Sequence, residues 1–264
     1  MNGFKDAKRV VVKIGTTTLT HGGGLINYRR LEKLVKTLAD LKNSGKEIVL
    51  VSSGAIGVGI GELGLKSRPS DVPTKQACAA IGQCELMYTY DKLFGEFNHS
   101  VAQILITHDV IDVPQSKQNI INTFERLLEF GVIPIVNEND TVSTEEIKFG
   151  DNDTLSAIVA TLIDADVLVL LSDIDGLYTA NPKEDPTAEL ISVVDNIESI
   201  RHLAGGSSSS FGTGGMVTKI NAADIVCKAG IDMYIINGSD PTLLYDLFDG
   251  NNVGTYFIGG KQNV

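Results

Sequence analysis

Val10-Val11-Val12-Lys13-Ile14-Gly15 reads as a strand buried on both faces, because a continuous β-branched run closed by glycine lacks the in-and-out alternation of a half-exposed strand. Runs of the same kind recur at 48–51, 101–106, 132–136, 167–171 and 233–236. Between them apolar residues fall at helical spacing, as in Leu31, Leu34, Val35, Leu38 and Leu41, or Ile120, Ile121, Phe124, Leu127 and Leu128. Strands alternating with helices predict an α/β fold, a three-layer αβα sandwich around a mostly parallel open sheet. Ligands of such sheets bind beyond the carboxyl ends of the strands, where Gly15, Gly54, Gly131 and Gly150 punctuate this sequence.

Composition narrows the function classes. A chain of 264 residues with 43% hydrophobic and 21% charged residues is an ordinary globular protein, expected to form one two-lobed unit. Its formal charge of -11 repels nucleic-acid phosphates and anionic lipid, so any phosphate site must be a local concentration of lysine and backbone amides. Cys78, Cys84 and Cys227 form no CxxC pair and read as small core hydrophobes of a protein kept reduced. Residues 1–8 lack an apolar signal core, and no apolar run approaches the roughly 20 residues of a bilayer span. A cytoplasmic location without membrane or nucleic-acid partners is the expectation. The four histidines are scattered, with no paired ligand spacing.

Five segments carry chemistry. Lys13 sits near the end of its strand, followed by Gly15, Thr16 and Thr17. Either its stem snorkels out of the sheet, or its ammonium meets a transferring phosphate that the backbone at Gly15 also approaches. Ser52-Ser53-Gly54 turns a strand into a helix whose free amides suit an anion, although Ser52 is a natural helix cap. Asn137-Glu138-Asn139-Asp140 and Gly150-Asp151-Asn152-Asp153 then set four carboxylates and three amides at the sheet mouth, suited to an ammonium group and to a divalent cation among phosphates. Taken singly, such residues are turn formers and caps.

Leu171-Ser172-Asp173 ends another strand in a hydroxyl and a carboxylate. Residues 175–196, with Pro182 and Pro186, read as hairpins or loops. The glycine-rich loop at 205–215 leads into Met216-Val217-Thr218-Lys219 as an active-site loop rather than a linker. A lysine so near a helix start opposes the macrodipole, which points to an anion beside Lys219.

These segments, in this order, resemble the amino acid kinase family over nearly the whole chain. Val-Lys-Ile-Gly-Thr, Ser-Ser-Gly-Ala-Ile, Asn-Glu-Asn-Asp, Phe-Gly-Asp-Asn-Asp, Gly-Leu-Tyr-Thr-Ala-Asn-Pro and Gly-Thr-Gly-Gly-Met look like the members that phosphorylate glutamate, rather than those acting on aspartate, acetylglutamate, carbamate or uridylate. The resemblance implies ATP-dependent phosphorylation of the γ-carboxylate of L-glutamate, the first step of proline synthesis, with Mg2+ on the ATP phosphates. It implies a single domain over 1–264, with a substrate lobe of about 1–165 and a nucleotide lobe of about 166–264.

By the same resemblance Lys13 and Lys219 flank the transferring phosphoryl group and Asp153 orients both. Ser53, Gly54, Asp140 and Asn152 match substrate-binding positions. Lys13, Gly15, Ser172, Asp173 and the run Thr213, Gly214, Gly215, Met216, Val217, Thr218 and Lys219 match nucleotide-binding ones. No metal ligand is assigned, Asp151 being the candidate. A homo-oligomer, feedback inhibition by L-proline and delivery of product to glutamyl phosphate reductase are implied by analogy. Many members carry a C-terminal PUA domain; this sequence stops at Val264, and Val217 stands where serine is frequent.

Two rival readings fail on context. Gly59-Ile60-Gly61-Glu62-Leu63-Gly64 matches a dinucleotide fingerprint, but Ser53-Gly54 already occupies the strand-to-helix turn, and the acid at the proper distance, Glu85, falls in a helical pattern. Gly45-Lys46 and Gly260-Lys261 lack the context of a phosphate-binding P-loop. A regulator that had lost catalysis would be expected to lack one of Lys13, Asp153 and Lys219, and all three are present.

Overall fold

Eight strands form one sheet in the order β3-β4-β2-β1-β5-β7-β8-β6. They are β1 (Arg9–Ile14), β2 (Glu47–Ser52), β3 (Val101–Ile106), β4 (Ile133–Glu138), β5 (Val167–Ser172), β6 (Val193–Val194), β7 (Asp232–Asn237) and β8 (Thr255–Phe257). The structure, a computed structural model, describes residues 3–107, 111–142, 152–182, 184–205 and 215–260. Every pairing is parallel except β7 with β8. The six apolar runs read from the sequence are the six long strands, each within one or two residues.

The helices are α1 (Gly3–Asp6), α2 (Thr16–Leu19), α3 (Tyr28–Asn43), α4 (Ala55–Glu62), α5 (Val72–Gly95), α6 (Pro114–Glu129), α7 (Asn152–Leu162), α8 (Met216–Lys228) and α9 (Leu243–Phe248), with a 3-10 segment at Ile197–Gly205. Strand alternation sorts them into two layers. Val10, Val12 and Ile14 join one core with Leu34 and Leu38 of α3 and Tyr90 of α5. Val11 joins the other, with Phe124 of α6, Leu155 of α7 and Val226 of α8. Lys13, two residues on from Val11, therefore faces the layer that holds α7 and α8.

Glycines set how closely α4 lies on α5. A Cβ at Gly59 would overlap the carbonyl of Cys78, and one at Gly82 the carbonyl of Ala55. Gly59 and Gly61 are thus packing positions, against Cys78 and the Gly24 backbone, and Glu85 lies inside α5. Lys46 is likewise structural: 6% exposed, it donates to the carbonyls of Phe4, Lys5 and Ala7 and sits 4.5 Å from the Phe248 ring centroid. Among the described residues no helix is long and apolar enough to cross a membrane.

Two expectations need correction. Ser52 does not cap a helix: it ends β2, Gly54 is the residue that precedes α4, and the Ser52 hydroxyl lies 2.9 Å from the Tyr90 hydroxyl. Cys84 is exposed, because it lies on the solvent side of α5, whereas Cys78 and Cys227 are buried as expected. Residues 175–196 do include a hairpin, bridged at Tyr178 and Leu190, but Val193–Val194 adds a short strand.

Candidate active site

Parallel pairing puts the ends of β1, β2, β4, β5 and β7 along one edge of the sheet. Register aligns Ile14 with Ser52 on one side and with Leu171 on the other. Lys13 thus stands in the middle of that edge, where the strand order reverses direction around β1.

Above it, Asp153 in the first turn of α7 is fully buried. Its Oδ1 lies 2.5 Å from Lys13 Nζ and its Oδ2 3.0 Å from Lys219 Nζ. The Thr218 hydroxyl, 2.7 Å from the Gly215 carbonyl, also lies 3.1 Å from Asp153 Oδ2. Lys13 and Lys219 are 8% and 7% exposed. Burial works to raise the Asp153 carboxyl, but the two ammonium groups outweigh it and hold the group below the usual carboxylate range. The three side chains together leave one net positive charge facing the sheet mouth.

Lys219, in the first turns of α8, therefore does have an anion beside it. Asp153 supplies it from within the protein, and neither lysine snorkels to the surface.

Asn152 lies one residue away and serves a different neighbourhood. Its Nδ2 is 3.1 Å from the Ser52 carbonyl, 2.9 Å from Ser53 Oγ and 2.9 Å from Asn137 Oδ1. This ties the start of α7 to the ends of β2 and β4. Gly54 takes φ 102°, a left-handed turn that glycine adopts without strain and that directs Ser53 toward Asn152. Asp140 sits in the turn just beyond β4, whose Asn139 amide donates to Ile106.

On the far side of β1, Ser172 is buried at the end of β5, and its hydroxyl lies 3.3 Å from Oδ1 of the exposed Asp173. No helix follows Asp173, so it is not a helix cap. The Gly238 amide donates to the Ser172 carbonyl at 2.7 Å, and Gly15 lies beside the Lys13 ammonium. Gly215 precedes α8, with Met216, Val217 and Thr218 in its first turn. Thr213, Gly214 and Asp151 fall outside the described residues.

The sequence residues thus divide into three groups along one edge: Ser53, Gly54, Asn152 and Asp140 over β2 and β4; Lys13, Asp153 and Lys219 at the centre; Ser172 and Asp173 over β5. Residues that hold the site without having been singled out are Tyr90 and Gln83. Tyr90, driven to a raised pKa by burial, has Ser52 as its partner. A tyrosine on the buried face of a helix needs a partner for its hydroxyl, and that was the available signal. Gln83, amid small residues of α5, accepts from Asn137 at 3.0 Å.

The profile of the Amino acid kinase family matches residues 8–237. The glutamate 5-kinase of Listeria innocua is 53% identical over 264 residues, covering 98% of this chain and 96% of the relative. That of Clostridium perfringens is 52% identical over 263 residues, covering 98% of each. Among solved structures, carbamate kinase from Giardia lamblia bound to AMP-PNP has a TM-score of 0.68 at 17% identity, over 97% of this chain and 100% of that one. UMP kinase from Bacillus anthracis has a TM-score of 0.66 at 16% identity, over 96% of each chain. At such identities the structural likeness shows a shared fold.

Proposed function

The chain belongs to the amino acid kinase family, and from that premise we propose that it transfers the γ-phosphoryl group of ATP to the γ-carboxylate of L-glutamate, giving L-glutamyl 5-phosphate for proline synthesis. The observation that carries this reading is one buried carboxylate, Asp153, holding two lysines that come from opposite parts of the sequence. Similarity to the glutamate 5-kinases of Listeria and Clostridium supports the choice of acceptor.

The acceptor is already an anion, so no general base is needed. The obstacle is repulsion between a carboxylate and a triphosphate, together with charge that spreads over the transferring group in flight. Lys13 and Lys219, fixed in place before either substrate arrives, meet that charge from two sides at no cost of reorganisation. Asp153 keeps both ammonium groups aligned and does not itself take a proton at neutral pH. Ser53, Asn152 and Asp140 bind the glutamate, a carboxylate and an amide oxygen suiting its α-ammonium group. Ser172, Asp173 and the start of α8 bind the nucleotide, with free amides toward its phosphates. The division we propose puts residues 1–165 on the substrate side and 166–264 on the nucleotide side.

Mg2+ fits as an ion carried in on the phosphates. Such a cation would keep most of its waters and lean on phosphate oxygens. Bound there, it neutralises charge on the triphosphate. The product is a mixed anhydride, reactive enough that direct use by a reductase is the natural next step. A homo-oligomer and inhibition by L-proline belong to the same reading.

An ADP-release assay with glutamate, aspartate, acetylglutamate and uridylate as acceptors, with hydroxylamine to trap an acyl phosphate, tests the proposal. Hydroxamate from glutamate alone is the expected result. Turnover on uridylate with no hydroxamate would overturn it.

A further inference from the structure

Asn152 can serve an ammonium group only in one of its two amide orientations. Its carbonyl oxygen must face the substrate, so its NH2 must face inward. In the structure the NH2 does face inward, toward Ser52 O, Ser53 Oγ and Asn137 Oδ1. The Ser52 carbonyl, which can only accept, favours that choice directly, and Asn137 adds a second acceptor whose own setting depends on groups further out. Asn137 is 2% exposed, and its own amide has two settings. Its Oδ1 receives the Glu138 backbone amide at 2.9 Å as well as Asn152. Its Nδ2 donates to Gln83 Oε1 at 3.0 Å, and Gln83 Nε2 donates in turn to Gln103 Oε1 at 3.0 Å. The amides therefore share one direction from the edge strand β3 through α5 and β4 to the start of α7, with the Glu138 amide and the Ser52 carbonyl supporting the same setting at Asn137 and Asn152.

We infer that Gln83, on a helix outside the site, is a positioning residue: by presenting an acceptor to Asn137 it keeps the Asn137 oxygen on Asn152 and so tunes the affinity for the amino-acid substrate. The inference rests on the reading of Asn152 as part of the glutamate pocket. Its physical core is polarity rather than packing. A buried amide left facing a like group loses a hydrogen bond at a site where water cannot replace it. A donor at position 83 would leave the Asn137 NH2 unpaired, or turn it over at the expense of its Glu138 bond. In the second case two NH2 groups face each other and Asn152 is displaced from its place beside the substrate's ammonium group.

Two variants of similar length separate polarity from shape. Gln83→Glu keeps an acceptor toward Asn137; Gln83→Lys supplies only donors. The expected result is a KM for glutamate within about threefold of the parent for Gln83→Glu and raised about tenfold or more for Gln83→Lys, the size of losing one charge-assisted hydrogen bond. The KM for ATP should stay the same in both. Equal glutamate KM values in the two variants, or equal rises for glutamate and ATP, would overturn the relay.

A second readout needs no substrate. The side-chain amide NMR signals of Asn137 and Asn152 should move together in Gln83→Lys and hold still in Gln83→Glu, and an unmoved Asn152 signal in Gln83→Lys refutes the coupling. Failure of the parent enzyme to use glutamate at all would strike the substrate reading instead, and the amide signals would still decide whether the relay exists.

Discussion

Asp153 is the residue on which the site's charges balance, and its neighbours predict what its loss does. Asp153→Asn leaves two buried ammonium groups without their counter-charge, a change of about 3–5 kcal/mol in stability, read from the urea midpoint. Because the native carboxyl lies below its usual range, its stabilising contribution is present in full above about pH 4 and drains away as the pH falls further. The gap between parent and Asp153→Asn should be flat from neutral pH down to that point and narrow below it. Lys219→Ala should lower kcat by about 100-fold or more while the KM for glutamate changes little. Asp140→Ala should do the reverse, raising the glutamate KM about tenfold or more with kcat nearly kept. Lys13, Asp153 and Lys219 were legible in the sequence because glycines and hydroxyls mark strand and helix ends. That one carboxylate holds both lysines came from the family resemblance alone, since 140 and 66 positions separate them along the chain and no local pattern joins them. Ser52 was misread for a similar reason: its partner, Tyr90, is a tertiary neighbour, and local preference alone favours a cap.

At the level of elements, the long strands announced themselves by apolar runs of four to six residues, whereas β6 and β8, two and three residues long, carry too little pattern to stand out from turns. The glycine series at 59–64 matches a dinucleotide fingerprint only as a bare pattern, and its surroundings show another use: α4 and α5 approach backbone to backbone where Gly59 and Gly82 lie. Gly59→Ala forces that contact apart and should cost about 1–3 kcal/mol. Gly95→Ala, at the end of α5 where a Cβ meets nothing within 4 Å, should be neutral or stabilising by up to about 1 kcal/mol. Thermal melts of the two variants compare crowding with chain stiffening within the same helix pair; equal losses would argue against the packing role of Gly59. The helical spacing of α3 needed no such arbitration, since Leu31, Leu34, Val35, Leu38 and Leu41 are all buried.

Across the whole molecule, alkaline pH probes the half of the sheet that holds β7 and β8. Tyr234 on β7 and Tyr256 on β8 stack at 4.7 Å between centroids, and burial, with Asp232 nearby, pushes Tyr234 up to about 12 and Tyr256 higher still. Unfolded tyrosines ionise near pH 10, so stability held below that value should fall as the pH climbs toward 12. Tyr234→Phe should make the fall shallower in melts across that range; parallel curves would remove the pair from the account. Five consecutive residues of β1 pair with β5, and six with β2, so both halves of the site are bolted to one plank. Such a plank does not hinge along its middle. Whatever shifts β1 must therefore carry both halves of the site with it, instead of opening one against the other.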